Sequence, residues 1–163
     1  MNTCEYDLCK PFALLGQTGI GKTFIFKMLS LISTSMRTNC FKNKSTLMSF
    51  NFTHIISSFT IYGKYSSGGY DAISEYITRP IIVIDDLGSE PTMANNFGNQ
   101  VNIMKLIFEE RYLRGNITYF TSNLPMKIIN EKYGERVNDR ILEDTTIIEM
   151  TGTNWRLKKA ITK

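Results

Sequence analysis

The amino-acid sequence predicts a three-layer α/β domain in which helices pack on a mostly parallel, five-stranded sheet. Strand-like and helix-like apolar spacings alternate along the chain, which is typical of parallel sheets with crossover helices. A glycine-rich segment at 16–23 separates the first predicted strand from the first predicted helix. A β-branched run at 81–84 ends in two aspartates, as expected of a central strand that is buried on both faces.

In the first half of the chain, the predicted strands cover residues 12–15, 47–52 and 81–84. A helix is predicted at 21–36, directly after the glycine-rich segment, because its apolar residues recur at helical spacing. Residues 37–45 indicate a basic surface loop. Between 55 and 77 the pattern indicates two short helices, separated by a Ser-Ser-Gly-Gly break at 66–69.

The second half continues the alternation of helices and strands. A helix is predicted at 101–114, and Gly115 ends it in the position that favours glycine. The remaining predicted elements are a strand at 117–121, short helices at 126–133 and 135–142, and a final strand at 146–150.

Length and composition predict one compact domain over residues 1–163. Hydrophobic residues make up 42% of the chain and charged residues 21%, which excludes the disordered and membrane-embedded classes. No apolar run approaches the roughly 20 residues of a membrane helix, and the first residues lack the pattern of a secretory signal. We therefore expect a cytoplasmic protein without a membrane partner. The net charge of +4 permits contact with nucleic acid but does not indicate it.

The glycine-rich segment satisfies the pattern G-x-x-x-x-G-K-[ST] between a predicted strand and a predicted helix. Its eight residues are Gly16, Gln17, Thr18, Gly19, Ile20, Gly21, Lys22 and Thr23. Backbone N–H groups of such a loop, together with the positive end of the following helix, bind phosphate oxygens. Lys22 adds a charge on the β- and γ-phosphates, and the Thr23 hydroxyl is placed to bind Mg²⁺. The segment therefore predicts a site for ATP and Mg²⁺.

Acidic and amide side chains follow two of the predicted strands. In parallel sheets, ligands bind outside the carboxyl ends of the strands. We expect Asp85 to bind Mg²⁺, directly or through water, and Asp86 to accept a proton from an attacking water molecule or to orient it. Asn123 is a candidate for positioning that water, although Asn-Leu-Pro is also a natural strand-ending turn. The alternative for the aspartates is a solvated strand end.

Arginines near the end of the chain are a further group of candidates. Arg136 and Arg140 lie four residues apart on one predicted helix face, and Arg156 follows the last predicted strand. Separate arginines are usually solvated surface charges. A γ-phosphate would give them a catalytic role, because its transition state carries negative charge.

Five segments, in this order, resemble the AAA+ ATPases of the helicase-loader group, which comprises DnaC, DnaI and the related transposition ATPase IstB. They are GQTGIGKT, IDDLGSE, TSNLP, YGERVNDRILE and GTNWR, and they extend from about residue 11 to residue 156. The resemblance implies that Asn123 is the sensor 1 residue, that Arg140 is an arginine finger acting on a neighbouring subunit, and that Arg156 is the sensor 2 arginine of its own subunit. Asp86 is shorter than the glutamate often found at its position, which predicts slow ATP hydrolysis.

The resemblance also implies partners. A finger supplied in trans requires a homo-oligomer in which subunits stack head to tail, so that assembly stimulates hydrolysis. Loaders are expected to bind a replicative helicase and single-stranded DNA, and Tyr62, Lys64 and Tyr65 fall in the corresponding region as candidate DNA contacts. Ordinary packing of a short helix is the alternative for these three. Loaders carry a helicase-binding region ahead of the core, whereas only about ten residues precede the first predicted strand here, so we expect that region to be absent. The chain is then either a truncated or minimal member, or it meets its partner by another surface. The missing C-terminal helical lid agrees with the loader group.

Four functional interpretations follow from the sequence. The leading one is a loader-like ATPase in DNA replication, and the second is an IstB-like transposition ATPase that acts on double-stranded DNA. The third is a small-molecule kinase, which would need a lid over the phosphates that the sequence does not show. The fourth is a nucleotide-regulated binding module with little hydrolysis. Transfer of the γ-phosphate to water or to a small molecule separates the first from the third.

Overall fold

A computed structural model describes residues 10–39, 54–96 and 98–156 of the chain. The strands in these ranges are β1 (Phe12–Gly16), β2 (Ile55–Ser57), β3 (Ile81–Leu87), β4 (Ala94–Asn96), β5 (Asn99–Val101), β6 (Ile117–Ser122) and β7 (Thr146–Met150). The α-helices are α1 (Lys22–Asn39), α2 (Ser58–Gly68), α3 (Ser74–Thr78), α4 (Ile103–Leu113), α5 (Met126–Tyr133) and α6 (Glu135–Asp144), and a short 3₁₀ helix covers Asp71–Ile73. No helix in the described ranges is long and apolar enough to span a membrane.

Five of the strands form one sheet in the order β2-β3-β6-β1-β7. Every pairing in this sheet is parallel, from Ile55 opposite Val83 at one edge to Gly16 opposite Met150 at the other. The two remaining strands, β4 and β5, form a separate antiparallel hairpin. The prediction of an α/β fold with a mostly parallel, five-stranded sheet is confirmed.

Alternate residues of the strands enter two separate hydrophobic cores, which defines three layers. Leu14, Val83 and Tyr119 pack with Phe26 of α1 on one face of the sheet. On the other face, the neighbouring strand residues Ala13, Leu15, Ile82, Ile84 and Phe120 pack against side chains of α2, α4, α5 and α6. Because the central strands are buried on both faces, they read in the sequence as continuous apolar runs rather than as alternating ones.

Two elements differ from the sequence prediction. Residues 55–57, which we expected to be helical, form the edge strand β2, because Ile55 and Ile56 pair with the central strand β3. The α2 helix starts only after this strand, where the hydroxyl of Ser57 accepts a hydrogen bond from the backbone N–H of Thr60. The β4–β5 hairpin was not predicted at all. The predicted loop at 37–45 begins too early, because residues 37–39 still belong to α1, and its remainder lies outside the described residues. The predicted strand at 47–52 lies wholly outside them.

The end of the sheet away from the glycine-rich loop is held together by a buried arginine. Arg111 of α4 is 1% exposed. Its guanidinium donates hydrogen bonds to the carbonyls of Tyr76 at 2.6 Å, Arg79 at 2.7 Å and Ile117 at 2.6 Å, and to the hydroxyl of Thr118 at 2.8 Å. Burial lowers the pKa of Arg111 to about 10, so the side chain remains charged at neutral pH. One side chain thus ties α3 and α4 to the start of β6.

Replacing this guanidinium should destabilise the fold. In Arg111→Met, four backbone carbonyls, including that of Ile77, lose a charged donor in a buried setting, and we expect the free energy of unfolding to fall by about 2–4 kcal/mol. Urea denaturation monitored by circular dichroism measures this loss. Arg111→Lys keeps a charge and some of the donors, so its loss should be smaller. Equal stability of Arg111→Met and the wild type would contradict the structural role.

Candidate functional site

A cleft of about 500 Å³ lies at the carboxyl ends of β1, β3 and β6. It is lined by Thr18, Gly19, Gly21, Lys22, Thr23, Phe24, Lys27, Asp85, Asp86, Thr121, Asn123 and Arg156. Because the three strands are parallel, the loop after β1, the acidic end of β3 and the polar turn after β6 all emerge at the same edge of the sheet. The structure therefore brings together most of the side chains that the sequence analysis selected.

The turn of the glycine-rich loop depends on two glycines. Gly16 and Gly19 have φ values of +148° and +86°, a region that L-amino acids other than glycine rarely adopt. A Cβ atom on Gly16 would lie 2.2 Å from the backbone oxygen of Met150, and one on Gly19 would lie 2.1 Å from the side-chain oxygen of Asn154. The loop thus packs directly against the end of β7 and the segment that follows it.

The eight loop residues divide among three positions. Thr18, Gly19, Gly21, Lys22 and Thr23 line the cleft. Gly16 and Gln17 line a neighbouring cavity of about 330 Å³ between the loop and the end of β7. Ile20 is 8% exposed, so its side chain anchors the loop in the interior, and it lines neither cavity.

Lys22 is held under the loop by three acceptors. Its ammonium donates to the carbonyls of Gly16 at 2.6 Å and Gln17 at 2.9 Å, and to Oδ1 of Asn123 at 2.7 Å. Burial lowers the pKa of Lys22, while the nearby carboxylates of Asp86 and Asp85 act in the opposite direction. An ammonium has three N–H donors, so a phosphate oxygen that binds Lys22 must replace or share one of these acceptors.

Thr23 and Asp85 form a direct contact that suits Mg²⁺. The Thr23 hydroxyl donates to Oδ1 of Asp85 at 2.8 Å. Adjacent oxygen ligands of an octahedral Mg²⁺ ion lie about 3 Å apart, given bonds of about 2.1 Å. A hydroxyl and a carboxylate at this separation are hard oxygen donors of the kind that Mg²⁺ prefers, so these two residues fit the ion.

Asp86 has an unusual backbone conformation. Its φ is +57°, and the pairing between β3 and β6 shifts register between Ile84 and Leu87. This conformation turns the side chain of Asp86 toward the turn after β6, where Nδ2 of Asn123 donates to its Oδ1 at 2.5 Å. Since Oδ1 of Asn123 accepts from Lys22, the amide of Asn123 joins the loop lysine to the acidic strand end.

Thr121 is a site residue that sequence reasoning missed. It is 1% exposed, and its hydroxyl donates to Oδ1 of Asp85 at 2.7 Å while accepting from the backbone N–H of Asp86 at 2.8 Å. One buried hydroxyl thus binds the side chain of Asp85 and the backbone of Asp86. The sequence signal was present in the polar strand end Thr-Ser-Asn, from which we selected only Asn123.

The candidate arginines lie at two different places. Arg156 lines the cleft. Arg140 is remote from it: it lines a cavity of about 330 Å³ with Pro11 and Ile117, which lie at or next to the amino ends of β1 and β6. The guanidinium of Arg140 stacks on the ring of Tyr112 at 4.5 Å. Arg140 therefore does not reach the cleft of its own chain.

The candidate DNA contacts on α2 differ in exposure. Tyr65 is 7% exposed and belongs to the hydrophobic core, which does not favour base stacking by its ring. Lys64 is exposed, but its ammonium is bound to the hydroxyl of Tyr76 and to Glu75. Tyr62 is half-buried, and its ring pairs with that of Phe59 at 6.1 Å. Phe59, which is 58% exposed, was not selected from the sequence.

The fold and the loop geometry together define a class. A parallel sheet, a glycine loop between β1 and α1, and a carboxylate at the end of β3, which β6 separates from β1, are features of the P-loop NTPase fold. The strand order and the two-sided helix layers give the AAA+ form of that fold, as the sequence analysis predicted.

Comparison with known proteins identifies a more specific fold. A scan against protein-family models gives no match, and a search of curated proteins finds no significant relative. Among solved structures, the chain is similar to the DnaC helicase loader, with a TM-score of 0.60 and 17% identity over 87% of this chain and 78% of that one. It is similar to DnaI with a TM-score of 0.59 and 23% identity, over 90% and 78% of the two chains. The chain has a DnaC/DnaI-like AAA+ fold.

A third similar structure carries ligands. It is described as the replication initiator DnaA bound to AMPPCP and single-stranded DNA, and it matches with a TM-score of 0.55 and 13% identity. The match covers 96% of this chain and 46% of that one, so the chain spans about half the length of the DnaA structure. At these identities the comparisons establish the fold.

The hydroxyl of Thr121 provides a direct test of the site geometry. In Thr121→Val, the backbone N–H of Asp86 loses its acceptor inside the protein, which should cost about 1–3 kcal/mol of unfolding free energy. We also expect the Asp86 amide to exchange with solvent faster, as measured by hydrogen–deuterium exchange. Thr121→Ser keeps the hydroxyl and should resemble the wild type. Unchanged exchange at Asp86 in Thr121→Val would argue against the hydrogen bond.

Proposed function

We propose that this chain binds and hydrolyses ATP as a helicase-loader-like protein of DNA replication, with single-stranded DNA, a replicative helicase, or both as partners. The observation that carries the proposal is the convergence of Lys22, Thr23, Asp85, Asp86 and Asn123 on one cleft. Each of these side chains suits one part of phosphoryl transfer to water. The similar DnaA structure with bound AMPPCP supports ATP as the nucleotide.

The loop and the start of α1 would bind the triphosphate. Backbone N–H groups of the loop and the ammonium of Lys22 neutralise the phosphate oxygens, and burial of Lys22 at 6% exposure strengthens this interaction by excluding water. Thr23 and Asp85 would hold Mg²⁺, which neutralises charge on the β- and γ-phosphates when bound. Thr121 keeps the Asp85 carboxylate in this position.

Hydrolysis would use Asp86 and Asn123. A water molecule attacks the γ-phosphorus, the bond from that phosphorus to the β–γ bridging oxygen breaks, and ADP leaves with the bridging oxygen. Asp86 orients the water or accepts its proton, and the amide of Asn123 fixes the Asp86 carboxylate at 2.5 Å. The short reach of aspartate is consistent with slow turnover.

Arg140 and Arg156 would stabilise charge on the transferred phosphoryl group from different subunits. Arg156 lines the cleft of its own chain, as a cis residue requires. Arg140 lies beyond the opposite end of β1, so it could act only on the nucleotide of a neighbouring copy. Such an arrangement needs a head-to-tail homo-oligomer, in which assembly stimulates hydrolysis.

Arg140→Ala tests this assignment. We expect the variant to bind ATP with unchanged affinity, while the turnover number at high protein concentration falls at least about 100-fold, because an arginine acting in trans contributes only in the transition state. Lys22→Ala should instead lose ATP binding. Turnover is followed by phosphate release, and binding is followed with a fluorescent ATP analogue.

Arg136→Ala is the matched control, because Arg136 lies one turn earlier on α6 and its side chain is 68% exposed. It should retain wild-type turnover. Wild-type turnover in Arg140→Ala, or a loss confined to Arg136→Ala, would show that Arg140 is not the finger. ATP binding that survives in Lys22→Ala would count against the whole proposed site.

Single-stranded DNA binding would use the aromatic pair of α2. Phe59 and Tyr62 present adjacent rings at 6.1 Å, and Phe59 is 58% exposed. Exposed aromatic rings on a helix bind bases by stacking, which is worth about 1–3 kcal/mol per base. Relative to the sequence prediction, this assigns base stacking to Phe59 and Tyr62 and leaves Lys64 as a candidate phosphate contact.

Phe59→Ala should therefore weaken binding of a fluorescein-labelled oligothymidine about 5- to 150-fold in fluorescence anisotropy, if one base stacks on this ring. ATP binding should not change, because Phe59 does not line the cleft. Tyr70→Ala removes another exposed aromatic ring, 46% exposed, and serves as the control. If Phe59→Ala binds the oligonucleotide as tightly as Tyr70→Ala and the wild type do, α2 is not the DNA surface.

A further inference from the structure

A buried carboxylate lies four residues after Asp86. Glu90 is 4% exposed, and its Oε1 accepts a hydrogen bond from the Tyr133 hydroxyl at 2.5 Å and forms an ion pair with Lys132 at 3.3 Å. Its Oε2 accepts from the backbone N–H of Gly88 at 3.0 Å. We call Glu90, Lys132 and Tyr133 the Glu90 cluster. None of its members lines the cleft or has a role in the proposed chemistry.

The Glu90 cluster fastens the backbone of the loop after β3 to the end of α5. Besides the ion pair, Lys132 donates to the carbonyls of Gly88 at 2.7 Å and Glu90 at 2.5 Å. Burial, followed by the charge of Glu90, raises the pKa of Tyr133, so the hydroxyl stays protonated and remains a donor. Hydrogen bonds to its main chain therefore hold the loop against α5.

The same loop fixes the backbone of Asp86 from the other side. The carbonyl of Asp86 accepts hydrogen bonds from the backbone N–H of Ser89 at 3.1 Å and from the hydroxyl of Ser58 at 2.8 Å. A non-glycine residue in the left-handed region costs about 1–3 kcal/mol and persists only where its surroundings hold it. The segment 86–90 is such a setting, because both of its ends are anchored.

We infer that the Glu90 cluster positions Asp86: by holding residues 88–90 against α5, it keeps the Asp86 backbone left-handed and its carboxylate on Asn123. This inference rests on the proposed hydrolysis of ATP. It assigns to Glu90, Lys132 and Tyr133 a role that acts through Asp86 and not on the nucleotide itself. The same contacts join the Asp86 loop to α5, which leads through Gly134 into α6 and Arg140.

Energetics favour positioning over stability as the role of these residues. A buried ion pair contributes little more to stability than well-packed apolar side chains of similar volume, because desolvation offsets the attraction. The pair instead fixes the position of the loop, since its hydrogen bonds go to specific backbone atoms of Gly88 and Glu90. An apolar substitute would fill the space without fixing the loop.

Glu90→Gln is the test variant, because the amide keeps the size of the side chain. It removes the negative charge that pairs with Lys132 and accepts a hydrogen bond from Tyr133. We expect the turnover number for ATP to fall about tenfold or more, while KM and the affinity for a fluorescent ATP analogue stay within about twofold of the wild type. Hydrogen–deuterium exchange at the Ser89 amide should become faster. Tyr133→Phe removes one hydrogen bond, is more certain to fold, and should show the same pattern with a smaller amplitude.

Arg111→Met is the matched control. It alters another buried charge network, at the far end of the sheet, and should lose stability without a specific loss of turnover at a temperature where circular dichroism shows both variants folded. The inference is overturned if Glu90→Gln and Tyr133→Phe turn over like the wild type, or if they lose no more than Arg111→Met. It is also overturned if KM rises in parallel with the loss of turnover.

Failure of the proposed function has a different signature. Wild-type protein that binds ATP but shows no turnover under any assembly condition would contradict hydrolysis itself. Amide exchange then decides whether the Glu90 cluster holds the Asp86 loop: faster exchange at Ser89 in Glu90→Gln supports that grip, and unchanged exchange refutes it.

Discussion

Parallel pairing of β1, β3 and β6 is the constraint on which the site depends. It brings three carboxyl ends to one edge of the sheet, so that a loop, a carboxylate pair and an amide meet although they are far apart in sequence. The pairing is stabilised on both faces, because alternate strand residues enter two different cores. The two cores, and not the polar side chains at the edge, hold the strands in register.

The polar side chains at that edge are hydrogen-bonded to one another, and these bonds restrict their geometry. Thr121 separates Asp85 from Asp86, and Asn123 links Asp86 to Lys22. Lys22 and Thr121 are buried, and an unmatched buried donor costs more free energy than its hydrogen bond contributes, so these two side chains have few alternative partners. This explains how a residue with an unfavourable φ, Asp86, can be kept next to a lysine and a second carboxylate.

The sequence predicted those features that leave a local signature. The phosphate loop has a fixed pattern, the buried strand β3 is a β-branched run, and helices such as α4 show their period directly. Features that arise from non-local pairing escaped it. Strand β2 is only three residues long and is recognisable only by its partner Val83, and the β4–β5 hairpin has no strong apolar alternation. Thr121 and Glu90 stand in segments that we had singled out, but only the folded backbone shows which atoms they contact.

Helices α5 and α6 connect the two ends of the sheet. The loop after β3 is fastened to the end of α5 by Lys132 and Tyr133, and α6 begins directly after α5 and carries Arg140 to the opposite end of the fold. A displacement of the Asp86 loop would therefore act on the end of α5, which Gly134 joins directly to the helix that carries Arg140. In the proposed head-to-tail assembly, α5 would thus link the Asp86 loop beside the cleft to the helix that carries Arg140.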